Sequence, residues 1–137
     1  MKLDERLQAD SKHIYELEES TLLLMNNSLV DWFMLIPRCD EIEFTKLPFE
    51  LQTAILKEIN LVAQFIQDQF SPDKLNIATL GNVVSQMHIH VIGRKFNDPY
   101  WPAPVWGQAG SRIYTDDQVA EIKQAFEHFF ATNNTQA

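Results

Sequence analysis

The chain is poor in several features that usually announce a function. It has a single cysteine, Cys39, in 137 residues, which excludes an internal disulfide and leaves stability to a core that a chain of this length can build. A lone cysteine suits a reducing compartment, so a cytoplasmic location is expected. No apolar run reaches the length of a membrane-spanning helix, and Met1-Lys2-Leu3-Asp4-Glu5-Arg6 lacks the basic start and apolar stretch of an export signal. Basic residues are outnumbered 11 to 19, for a formal net charge of −8. A field of that sign repels polyanions and argues against a nucleic-acid polymer as partner, although a few local donors can still hold a small nucleotide phosphate. There is no glycine-rich phosphate loop, no Gly-x-Ser-x-Gly elbow, no internal repeat and no linker. One domain over residues 1–137 is expected, and 45% apolar with 22% charged residues is ordinary for a folded protein.

What is present reads as strands and helices of an α+β domain. Leu3, Leu7, Ile14 and Leu17 have roughly helical spacing and predict a helix from Asp4 to Glu18. Thr21-Leu22-Leu23-Leu24-Met25 and Trp32-Phe33-Met34-Leu35-Ile36, separated by the turn-forming Asn26-Asn27-Ser28, predict a hairpin of buried strands closed by Pro37. Leu47-Pro48 opens a long helix through Leu51, Ile55, Ile59, Val62 and Ile66, ending near Phe70 before Ser71-Pro72-Asp73. Lys74 to Leu80 and Val83 to Ile92 predict two more strands. Thr115-Asp116-Asp117-Gln118 matches a capping box and starts a final amphipathic helix, with a frayed tail over Asn133 to Ala137. A hairpin, a long helix and a second hairpin suit an antiparallel sheet with flanking helices better than a parallel one.

Chemistry concentrates in Gln86-Met87-His88-Ile89-His90-Val91-Ile92. On a strand, Gln86, His88 and His90 project to one side and Met87, Ile89 and Val91 to the other, so one side can pack while the other presents an amide and two imidazoles to a small ligand. The same spacing also fits two solvent-facing histidines of a half-buried strand. A metal site is a third reading, but it lacks partners: His13 and His128 sit in segments that read as exposed helix, Cys39 is alone, and no further ligand has metal-site spacing. Neither a metal nor a cofactor is expected. The irregular stretch Asn97 to Gly107, with three prolines and three aromatics, reads either as a hydrophobic clasp over the sheet or as an aromatic wall for a base. Arg94 and Lys95 read as a solvated basic pair or as groups reaching distal phosphates.

The strand from Gln86 to Ile92, preceded by Gly81-Asn82-Val83-Val84 and earlier by Trp32-Phe33-Met34-Leu35-Ile36-Pro37-Arg38, resembles the histidine-triad (HIT) superfamily of nucleotide hydrolases and transferases. The stretch Asp98 to Gly107 is similar to a bacterial subgroup described as diadenosine-polyphosphate-hydrolase-like. The resemblance implies a HIT-like α+β fold, a homodimer, and cleavage at the α-phosphate of a dinucleoside polyphosphate or nucleoside phosphoramidate. It implies that His88 is the nucleophile and that His90 contacts the phosphate and helps the leaving group. By the same resemblance Asn82 binds the α-phosphate, Asn26 holds the ribose hydroxyls and Asn76 lies near the phosphate; apart from the family, main-chain amides near Ser85 are candidate donors to phosphate oxygens. Two positions depart from the pattern. Gln86 stands where the first histidine is expected, and Trp32 stands where a histidine is common. Gln86 hydrogen-bonds but does not carry a proton near neutral pH, so a nucleotide-binding module with slow or no turnover is the competing expectation.

Overall fold

In the computed structural model, which describes residues 2–133, five strands form one antiparallel sheet in the order β1-β2-β3-β5-β4. The elements run α1 (Glu5–Ala9), β1 (Ser11–Glu16), β2 (Ser20–Met25), β3 (Asp31–Pro37), α2 (Phe49–Phe70), β4 (Lys74–Ala78), β5 (Ile89–Arg94) and α3 (Asp116–Asn133). The expected α+β architecture is therefore what forms, with the long helix between the β2–β3 hairpin and the β4–β5 pair. Of the expected frayed tail, residues 134–137 lie outside the described residues.

Both faces of the sheet are covered, which explains why β2 and β3 read as continuous apolar runs rather than alternating ones. On one face Leu22, Leu24, Phe33, Leu35, Ile89 and Val91 pack against Ile55, Val62, Phe65 and Ile66 of α2, with Phe126 and Phe129 of α3 closing that side. Phe65 meets Phe33 and Phe126 edge-on at 5.8 and 5.1 Å between ring centroids. Buried aromatics of this kind each contribute about 1.5–3 kcal/mol from burial alone. On the other face Leu23, Trp32, Met34, Ile36 and Ile92 are covered by Leu7, Val84, Tyr100 and Val105.

The ends of the helices follow local chemistry. Ser71 caps α2 in the left-handed region at φ 48°, its N–H donating to Gln67 O, and Pro72 then prevents continuation. At α3 the expected capping box forms in both directions: Gln118 N donates to Thr115 Oγ1 at 3.1 Å, and Thr115 N donates to Gln118 Oε1 at 2.8 Å.

Two expectations are corrected. The segment Asp4 to Glu18 is not one helix: α1 stops at Ala9, and Ser11–Glu16 is the edge strand β1, which also places the exposed His13 on a strand. The four apolar residues do not share a face, because Leu7 packs on one side of the sheet and Ile14 and Leu17 on the other. A register shift between His13 and Tyr15 breaks the two-residue alternation of β1, leaving a spacing that imitates a helix. The histidine strand is also shorter than expected. β5 begins at Ile89, opposite Leu35 of β3, and β4 ends at Ala78 opposite His90, so residues 79–88 have no ladder to join.

Candidate active site

Gln86 to Ile92 distributes its side chains as alternation requires, although only its last four residues are strand. Met87, Ile89 and Val91 enter the core beneath α2, while Ile92 and the two histidines turn to the other face. His88 and His90 are buried rather than solvent-facing, at 8% and 3% exposed, with ring centroids 5.0 Å apart and the planes at 70°. This excludes the reading of two exposed histidines on a half-buried strand.

The hydrogen bonds fix which nitrogen of each ring carries a proton. His88 Nδ1 lies 2.6 Å from the main-chain carbonyl of Gln86, and a carbonyl only accepts, so His88 is protonated at Nδ1 and its Nε2 keeps a lone pair in the neutral ring. His90 Nδ1 lies 2.9 Å from the Trp32 indole nitrogen, and an indole N–H only donates, so His90 keeps its lone pair at Nδ1 and its proton at Nε2. Burial first, and then the neighbouring His88, hold the His90 pKa down at about 4, so the neutral form prevails near neutral pH. The pair thus offers one nucleophilic nitrogen and one neutral N–H donor.

The aromatic loop after β5 completes this surface. Trp106 packs edge-on against His90 at 4.9 Å and against Trp32 at 5.9 Å, while Tyr100 and Val105 are buried over the sheet. The loop therefore packs over the sheet as a clasp, with Trp106 forming its contact to His90. Its anchor is Asp98, which accepts from Arg94 Nε and Nη2 at 2.8 and 3.1 Å and from the main-chain N–H groups of Tyr100 and Trp101, both at 2.9 Å. Arg94 is 1% exposed, its third nitrogen donates to Asn76 Oδ1 at 3.1 Å, and its guanidinium lies 5.6 Å from the Trp101 ring centroid. Both sequence readings of Arg94 are thereby corrected: it is neither solvated nor free to reach a phosphate.

The remaining predicted site residues are dispersed around the pair. The Gln86 side chain is engaged by the N-terminal segment, its Oε1 accepting from Asp4 N at 2.7 Å and its Nε2 donating to Lys2 O at 3.1 Å. Asn82 and Ser85 are exposed on the irregular approach to β5. Asn76 sits on β4 opposite Ile92, on the histidine face, with its oxygen held by Arg94. Asn26 Oδ1 accepts from Tyr114 N at 2.9 Å. Extending the register places Asn26 level with Asp31 and His88 level with Ile36, five residues along β3 and so on the order of 16 Å of strand. The structure brings together His88 and His90, and adds Trp32 and Trp106, which the spacing of polar residues did not single out. The signal for Trp32 lay in its position one strand away on the same face. Among the described residues, no three or more His, Cys, Asp or Glu are grouped to hold a metal ion.

The model of the HIT domain matches residues 6–97 of this sequence. The chain belongs to the HIT domain family. Its fold agrees with that assignment over nearly the whole length. A histidine triad protein from Marinobacter aquaeolei is 37% identical, with 96% of each chain covered and a TM-score of 0.90. One from Bradyrhizobium japonicum is 34% identical over 93% of this chain and 96% of the other, with a TM-score of 0.89. The HIT fold is also shared at 18% identity with the Plasmodium falciparum diadenosine triphosphate hydrolase, with a TM-score of 0.57 and with 97% of this chain and 80% of that one covered. A comparison with curated proteins returned no match. Among the described residues no helix of this HIT protein is long and apolar enough to cross a membrane.

Proposed function

We propose that this HIT protein is a nucleotide hydrolase or nucleotidyltransferase that cleaves at the α-phosphate through a covalent nucleotidyl-histidine on His88. The observation that carries the reading is the pair of opposite tautomers. His88 presents an Nε2 lone pair while its Nδ1–H rests on the Gln86 carbonyl, a bond that strengthens as positive charge develops on the ring during attack. His90 presents Nε2–H, a donor suited to a phosphate oxygen. Phosphoryl transfer draws most of its help from positioning and from donors aimed at developing charge, and two buried imidazoles with fixed orientations supply both. The substrates to which we assign it are a dinucleoside polyphosphate or a nucleoside phosphoramidate. A diadenosine triphosphate hydrolase on the same fold supports the former class.

The other roles follow from where the residues stand. Gln86 acts through its main-chain carbonyl, since its carboxamide is engaged by Lys2 and Asp4. Asn82 and the main chain at Ser85 are free on the approach to His88 to meet phosphate oxygens. Asn26 meets a ribose hydroxyl through its amide nitrogen, its oxygen being held by Tyr114. Asn76 contributes indirectly, by steadying Arg94 beneath the clasp. We expect a cytoplasmic homodimer of the diadenosine-polyphosphate-hydrolase-like subgroup. The sheet edge β4, with Ile77 half exposed, gives such a partner a strand to extend, which light scattering of the purified protein tests.

A second reading, a nucleotide-binding module without turnover, is favoured by the non-titrating Gln86. Single-turnover incubation with diadenosine tetraphosphate and with an adenosine phosphoramidate separates the two. Release of AMP through a protein adduct seen by mass spectrometry, absent in His88→Ala, is the expected result. Tight AMP binding with neither adduct nor turnover would overturn the enzyme reading.

A further inference from the structure

The Trp32 to His90 hydrogen bond carries a constraint on the reaction itself. An imidazolium has hydrogens on both ring nitrogens and no acceptor, so the indole N–H at 2.9 Å is compatible only with neutral His90. Both partners are buried, at 7% and 3% exposed, and Trp106 packs on both rings, so water has little access to replace the bond. Among the described residues, the groups facing His90 offer no compensating negative charge. Its cross-strand neighbours are Met34 on β3 and Ala78 on β4, the loop contributes Trp106, and the titratable neighbour on its own segment is His88. Burial and His88 both push His90 toward the neutral form. At position 86, two residues before His88, stands an amide that does not titrate.

We propose that Trp32 is a specificity-determining positioning residue, which by holding His90 as a neutral N–H donor restricts this site to substrates whose leaving group departs unprotonated. In the first step the His88 Nε2 lone pair forms a bond to the α-phosphorus as the bond to the bridging oxygen breaks. The electron pair leaves with that oxygen on a polyphosphate anion, and no proton is transferred. His90 Nε2–H hydrogen-bonds to phosphate oxygen throughout and keeps its proton. In the second step water attacks phosphorus, the nitrogen–phosphorus bond breaks, neutral His88 is restored, and the proton lost from water passes to solvent. A polyphosphate is a stable anion and satisfies this scheme. An alkyl amine does not, because it must gain a proton as the phosphorus–nitrogen bond breaks and no residue of the pair is placed to give one. The inference rests on the reading of His88 as nucleophile and narrows it from two substrate classes to phosphoanhydrides.

The test has two arms. In the first, long-range nitrogen–proton NMR follows the His90 ring in wild type and in Trp32→Phe, which removes the indole N–H and keeps an aromatic ring. Wild type is expected to show unprotonated Nδ1 at pH 6, and the variant a ring that charges at higher pH. In the second, kcat/KM is measured with diadenosine tetraphosphate and with an adenosine alkylphosphoramidate. Wild type is expected to favour the anhydride by roughly 10²-fold or more, the usual worth of a missing general acid. Trp32→His, which can accept from a protonated partner, is expected to narrow that ratio while showing a new acid limb in its pH profile. If wild type cleaves both substrates equally, or if His90 charges at the same pH in wild type and Trp32→Phe, the proposal is overturned while the nucleophile reading stands. If neither substrate gives turnover or adduct while the NMR shows the expected tautomer, the nucleophile reading fails and the restriction fails with it. The wild-type NMR and rate ratio need no variant, so a poorly folded Trp32 substitution leaves both decisive.

Discussion

Replacing Asp98 by alanine removes one carboxylate and leaves Arg94, only 1% exposed, as a buried cation without a counter-ion. In the folded protein that carboxylate receives two guanidinium bonds, at 2.8 and 3.1 Å, and the main-chain N–H groups of Lys95, Tyr100 and Trp101 at 3.3, 2.9 and 2.9 Å. Breaking a buried ion pair from one side costs about 3–5 kcal/mol, because the remaining charge keeps its desolvation penalty. That is a large part of the 5–15 kcal/mol typical of a whole domain. At roughly 3–5 °C per kcal/mol for a chain of this size, the melting temperature should fall by about 10–20 °C. Calorimetry and urea titration measure it, with the double substitution Arg94→Met with Asp98→Ala as the control, expected to lose less because no charge is left buried while the three main-chain N–H groups are unpaired in both. A loss below about 1 kcal/mol for Asp98→Ala would refute the reasoning. Acid supplies a second reading of the same group. Burial pushes the Asp98 carboxyl up, but the hydrogen bonds from Arg94, Tyr100 and Lys95 outweigh it and hold its pKa below the ordinary value. A lowered folded pKa gives stability that is present above the unfolded pKa and is lost as pH falls through the folded one, so Asp98→Ala should flatten the acid limb of the stability curve.

Asp31 has the opposite sign. Burial pushes its carboxyl up to about 6, with Lys95 lowering it and Asp98 raising it, so its contribution is fully present below about pH 4 and is lost as pH rises through about 6. Asp31→Asn should therefore gain urea midpoint on wild type between pH 5 and pH 8, and an offset that stays constant over that range would contradict the assignment. Gly93 of β5 packs against Ile66 of α2, and a methyl group there would meet Ile66 Cγ2 at 2.8 Å and Pro72 Cβ at 3.3 Å. Gly93→Ala is expected to cost about 1–3 kcal/mol by overpacking, measured by thermal melting, and an unchanged melting temperature would show that α2 yields freely.

The parts of the fold legible in the sequence were those whose pattern is local. The i, i+4 apolar stripe of α2, the Thr115 to Gln118 box and the apolar runs of β2 and β3 each carry their own signal. β1 was not legible because its irregular register disguised a strand as a helix, and residues 79–88 because strand existence depends on a partner that sequence does not show. At the site, the two histidines were readable from alternation and resemblance, whereas the bond from His88 Nδ1 to the Gln86 carbonyl came from the structure. The state of His90 was not, since it is set by an indole 58 residues away in sequence. Arg94 was misread for a similar reason: a charged side chain after a strand is usually solvated, and only the tertiary position of Asp98 and Asn76 reverses that.

The asparagine turn between β2 and β3 does more than reverse the chain. Asn27 Oδ1 accepts from Arg112 N at 3.3 Å, Ser28 N donates to Arg112 O at 2.6 Å, and Asn26 Oδ1 accepts from Tyr114 N, just ahead of α3. The segment leading into the last helix is thus sewn to the central hairpin by groups from the turn. Opening of that segment then becomes tied to opening of the hairpin, so the Tyr114 amide should exchange its hydrogen with solvent on the slow schedule of the sheet rather than the fast one of a helix end.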